Sequence, residues 1–128
     1  ITKYLHNDKK SLLIFENPEA HLHPSAQSRL GYIFAKESYA NLQLIIETHS
    51  EHIINGMLIG LKDKKIKRED ININFFTKSN EIGENKNTPI TLDKDDKIDI
   101  WPEGFMDQFT NDSYRILNVS ASIEELMK

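Results

Sequence analysis

The chain has 128 residues, 38% of them hydrophobic and 28% charged, with a net charge of −4. That is one modest domain at most, with apolar material for a single core, and no general basic field to draw it to nucleic acid or an anionic membrane. The longest apolar runs are far too short to span a bilayer, and the absence of cysteine excludes disulfides and thiolate metal sites and fits a reducing, cytoplasmic setting.

The opening ITKYLH carries neither an initiator Met nor a signal-peptide pattern, so the chain reads as a piece of something longer. Leu12 to Phe15 has the length and apolarity of a strand buried on both faces, as in a parallel sheet. Pro24 suits the first turn of a following helix, and Leu30, Ile33, Phe34 and Tyr39 keep helical spacing from Ala26 to about Tyr39. Leu42 to Ile46 is a second short buried strand. Ser50 is a good N-cap for a helix whose apolar face is Ile53, Ile54, Met57, Leu58 and Leu61. Strand, helix, strand, helix with short joints is a βαβα unit with a right-handed crossover. Lys62 to Asp70 is a charged, solvated connector. Ile71 to Thr77 alternates as a half-exposed strand, and Asn80 to Asn87 reads as a polar loop. Pro89 to Leu92 and Lys97 to Trp101 read as strands around the acidic turn Asp93 to Asp96. PEGFMDQF then forms a turn with Trp101, Phe105 and Phe109 packed into the core, and Ser120 or Ser122 caps a last short helix.

The chemistry gathers at the carboxyl ends of the first two strands, the edge where open parallel sheets bind ligands. There SLLIFE runs into Asn17, Pro18, Glu19, His21 and His23, and LQLII runs into Glu47, Thr48, His49 and Ser50. An apolar strand ending in carboxylates is how nucleotide hydrolases hold magnesium and aim a water, and a His on the adjacent strand can sense the γ-phosphate.

The pair LLIFENPEAHLHP and LIIETHSEHIINGM resembles the carboxy-terminal half of ATP-binding-cassette-type ATPases, in the soluble bacterial branch that includes the overcoming-lysogenization-defect nucleases. The first stretch is similar to a Walker B strand running into the D-loop, the second to the switch-histidine strand. The tail WPEGFMDQF is similar to a short region of unknown function that ends one subgroup of such ATPases. The resemblance implies that Glu16 is the acid holding the magnesium water, that His21, Leu22 and His23 lie in the D-loop at a dimer interface, and that His49 reaches the γ-phosphate. Asn17 falls where the catalytic glutamate usually sits, and an amide cannot accept the water's proton; a missing base costs roughly 10²–10⁴ in rate. Glu19, two residues on, is the candidate substitute.

No GxxxxGK[ST] loop and no LSGGQ-like signature occurs in the chain. The resemblance places both upstream, so these residues alone should bind ATP poorly. The expected fold is α/β: part of a P-loop nucleotide-hydrolase parallel sheet with flanking helices over residues 1–66, and a small β-rich appendage over 67–128. The expected activity is a magnesium-dependent ATPase that works as a homodimer with the missing ATPase half, with nucleic acid or an effector subunit as a further partner and phage defence as its setting. Two other readings stand beside it. One is a non-hydrolytic, ATP-gated interaction module. The other is a metal-dependent hydrolase in which His21, His23, His49 and His52, with Glu16, Glu19 and Glu47, hold zinc or manganese.

Overall fold

The computed structural model describes residues 10–38, 41–78 and 84–117. In it the apolar run becomes β1 (Ser11–Glu16). The strand stops where Asn17 turns into the left-handed region at φ 44° and Pro18 removes a ladder donor. A turn follows, closed by the Ala20 N–H on the Asn17 carbonyl and the Leu22 N–H on the Glu19 carbonyl, with His21 also left-handed at φ 64°. His23, held extended by the following proline, caps α1 (Pro24–Glu37), and Pro24 occupies the first turn as expected.

β2 (Leu42–Glu47) pairs parallel to β1, Ser11 opposite Leu42 through Glu16 opposite Glu47. The Ser50 hydroxyl then accepts the Ile53 N–H at 3.2 Å and caps α2 (Glu51–Lys62). Lys64, left-handed at φ 56°, ends that helix while the Lys65 N–H returns to the Gly60 carbonyl. The helices α1 and α2 pack backbone against backbone. A Cβ at Gly31 would strike the Ile53 carbonyl, and one at Gly56 would strike the Ser28 carbonyl. Ile53 and Ala35 are fully buried, and Ala35, Leu61 and Ile66 form the centre of the core, with Ile71 and Leu92 against them.

The sheet departs from expectation in its burial. In-register residues of parallel strands share a face, so Leu13, Phe15, Leu42, Leu44 and Ile46 lie together, and the Phe15 ring meets Phe34 of α1 at 5.0 Å. The other face is bare: Leu12, Ile14 and Ile45 are 52%, 65% and 48% exposed. The strands were expected to be buried on both faces. Among the described residues two strands pair with helical cover on one side, and on that side Leu13 still stays 43% exposed.

The remaining residues form a second compact unit, Ile73–Thr91 and Ile98–Lys128, while Leu92–Lys97 belongs with the first. β3 (Ile73–Lys78) and β4 (Asn85–Ile90) make an antiparallel hairpin, Ile73 opposite Ile90. β4 starts inside the stretch expected to be a loop. Its sequence NKNTPI carries little strand signal of its own, and its pairing with β3 imposes the extended form; Asn87 donates to Asn74 across the ladder at 3.2 Å. Lys97 to Trp101 is not a strand. Asp93 gathers the Asp95 and Lys97 N–H groups at 2.8 and 3.0 Å, which fixes a turn where the acidic turn was expected. Those amide bonds, first from Lys97 and then from Asp95, hold the Asp93 carboxyl below its ordinary range.

Phe105 is buried and contacts Phe75 at 5.1 Å and Trp101 at 5.7 Å between ring centroids. Phe109, expected beside them, is 74% exposed on α3 (Gln108–Ile116). That helix went unforeseen because Thr110, Asn111, Asp112 and Ser113 are poor helix formers. It is supported instead by its own side chains, with Gln108 donating to Asp112 and Ser113 to the Phe109 carbonyl. The expected helix after Ser120 lies outside the described residues.

Candidate functional site at the ends of the parallel strands

The parallel register carries Glu16 and Glu47 to the same end and the same face of the sheet. The chain beyond them stays paired for one more step, the Asn17 N–H reaching the Glu47 carbonyl at 2.9 Å. His49 follows two residues past Glu47, so Glu16 and His49 stand at one sheet edge. This is the arrangement that the spacing of the two motifs called for. Glu16, Asn17, His21, Leu22, His23 and His49 are all exposed. Two adjacent exposed carboxylates are hard oxygen donors, a set that suits magnesium held mainly through its waters.

Glu19 behaves differently from Glu16. It is half-buried, and its Oε1 accepts the backbone N–H of His49 at 2.8 Å, joining the turn after β1 to the loop after β2. Its Oε2 is buried and meets no hydrogen-bond partner among the described residues. Burial by itself would raise the carboxyl's pKa. Burial is the largest single influence, but the hydrogen bonds from the His49 backbone, Glu19's own amide and the Thr48 hydroxyl, with the His49 charge, together outweigh it, so the group lies below its ordinary value.

A second bridge was missed by sequence reasoning. Gln27, on the first turn of α1, donates from Nε2 to the Leu22 carbonyl at 2.8 Å, and its Oε1 accepts the Ser50 hydroxyl at 2.5 Å. One amide thus spans from the His21–His23 turn to the cap of α2. The only signal available was a polar residue on the inner side of an amphipathic helix, which resembles any surface glutamine until the fold brings Ser50 to it. Within the second loop the Ser50 N–H is tied to the Thr48 hydroxyl at 3.0 Å.

The histidines and acids do not converge. Among the described residues no three of His, Asp or Glu are arranged to hold a metal ion, so the proposed zinc or manganese set of His21, His23, His49, His52, Glu16, Glu19 and Glu47 does not assemble. The reason is visible in Glu19, whose oxygens are turned to a backbone amide and to the interior rather than to an imidazole. Among the described residues, no helix is long and apolar enough to cross a membrane.

Two family models match the chain. The one described as "AAA domain, putative AbiEii toxin, Type IV TA system" matches residues 1–55, which include β1, α1, β2 and the start of α2. The other, described as a protein of unknown function, DUF3696, matches residues 66–116, from the connector to the end of α3. No curated protein and no solved structure matches the chain. The site at the ends of β1 and β2 therefore sits inside a stretch similar to AAA-type ATPase domains, and the α/β architecture with a parallel strand pair is consistent with part of a P-loop fold. The WPEGFMDQF tail falls inside the region of unknown function that it was expected to resemble.

Proposed function

We propose that the first unit supplies the Walker B, D-loop and switch-histidine elements of a cytoplasmic, magnesium-dependent ATPase of the cassette and lysogenization-defect type. The observation that carries the proposal is the in-register parallel pairing that sets Glu16 and the His49 loop at one strand edge, within the stretch similar to AAA ATPase domains. Glu16 holds the metal's water shell and His49 contacts the γ-phosphate. Magnesium, when bound with ATP, neutralises charge on the β- and γ-phosphates. His21, Leu22 and His23 form the D-loop surface on which a second copy docks. The matched family is described as an AAA domain and putative toxin of a toxin–antitoxin system, and the resemblance to lysogenization-defect proteins favours work in phage defence.

Asn17 favours a second reading, in which ATP gates assembly and is turned over slowly or not at all. An amide at this position cannot take a proton, and its left-handed backbone is a conformation that asparagine tolerates better than most residues. Both readings are tested on a protein that carries this segment together with a GxxxxGK[ST] loop. ATP turnover and ATP-dependent dimerisation are measured for the natural sequence and for Asn17→Glu. Dimerisation with ATP, and turnover that rises in the variant, is the gating result. Turnover already fast with Asn17 favours the hydrolase. The absence of both ATP binding and turnover would overturn the ATPase reading.

A further inference from the structure

We propose that Glu19 and Gln27 are positioning residues, a pair of struts that hold the His49 loop in fixed register with the His21–His23 turn, and that Glu19 takes no proton in the reaction. The proposal deepens the ATPase reading and rests on it for the meaning of the two loops, but the struts themselves are matters of geometry.

A general base needs a free carboxylate oxygen that a water can reach, and a pKa drawn up toward neutrality. Glu19 offers neither. One oxygen is occupied by the His49 amide at 2.8 Å, and the other is buried. Its hydrogen bonds favour the ionised form and make it a weaker base than an ordinary glutamate. What such a group does well is accept: a charge-assisted bond to a backbone N–H is about twice as strong as a neutral one. Its effect is to fix the backbone at the residue whose imidazole the site needs.

Gln27 completes the arrangement from the other side. Its amide is used at both ends, as donor to the Leu22 carbonyl and acceptor from the Ser50 hydroxyl. Ser50 in turn caps α2, so displacement of the His21–His23 turn is transmitted to the end of the three-residue loop that carries His49, whose own amide Glu19 holds. Docking of a partner on that turn would thereby bear on the His49 position. Neither residue touches the reacting atoms.

The test uses the 128-residue chain and backbone NMR. The His49 amide proton should titrate with an apparent pKa below the ordinary glutamate value near 4.5, following Glu19 rather than its own imidazole. Glu19→Ala should abolish that titration and speed His49 amide exchange about tenfold or more, as expected for loss of a hydrogen bond to a charged acceptor. Glu19→Gln retains a carbonyl acceptor and should keep most of the protection while losing the titration. Gln27→Glu keeps the acceptor for Ser50 but turns a carboxylate toward the Leu22 carbonyl, and should loosen the turn while the Ile53 amide stays protected. A His49 amide that ignores both Glu19 variants would overturn the proposal.

Turnover by the protein carrying a phosphate loop supplies a second, independent result. With Glu19 as a strut, Glu19→Gln retains most of the rate and Glu19→Ala does not. With Glu19 as the base, both lose roughly 10²–10⁴. If the natural sequence shows no turnover at all, the ATPase reading fails and the struts are judged by the amide data alone.

Discussion

The two units of this chain reach regular structure by different means. In the first, the main elements announce themselves: apolar strands ended by acids, a proline at a helix start, a serine at a cap. In the second, a polar hexapeptide becomes β4 because β3 pairs with it, and a run of poor helix formers becomes α3. The difference teaches where local sequence is enough. Side chains that bury area or close a cap write their structure into the sequence, whereas the exposed β4 is set by its partner strand and the exposed α3 by bonds among its own side chains.

The largest effect is expected in the second unit. Phe105 is its one buried aromatic anchor among the described residues, held between Phe75 and Trp101. Phe105→Ala should cost about 3 kcal/mol and raise amide exchange across β3 and β4. In the first unit, Gly56→Ala should cost about 2 kcal/mol in urea unfolding, because the added methyl meets the rigid Ser28 carbonyl and the helices must separate. A neutral result there would mean that α1 and α2 do not approach as closely as described. Ser50→Ala should cost about 1 kcal/mol through loss of the α2 cap, read as a lower denaturation midpoint.

The smallest effect is one of pH. Because the folded-state pKa of Glu19 is depressed, its tie to His49 adds stability above the ordinary value near 4.5, and that contribution is lost as pH falls through the lower folded value. Urea unfolding of the native chain should therefore weaken on acidification more than that of Glu19→Gln. Equal acid sensitivity in the two would remove the tie.

The candidate site was legible to an uneven degree. The placement of Glu16 and His49 at one edge could be read directly, because each follows the end of an apolar strand and the two strands pair in parallel. Burial was misjudged: Leu12 and Ile14 look like core residues in sequence, yet apolarity does not say how many layers will cover a strand. The part played by Glu19 was hidden because a carboxylate near a strand end looks the same whether it faces a ligand or a backbone amide 30 residues away. Gln27 was hidden for the same reason. Its partners at Leu22 and Ser50 come together only when the two loops are folded against α1.

The shared edge of β1 and β2 is proposed as a nucleotide-hydrolysing half-site. Its most direct test is magnesium-dependent ATP turnover by a protein carrying this segment and a phosphate loop, comparing the natural sequence with Glu16→Gln and His49→Ala. Each substitution should lower kcat by about 10²-fold or more, as loss of a group acting on transition-state charge does, with folding preserved. Turnover unchanged in both variants would contradict it.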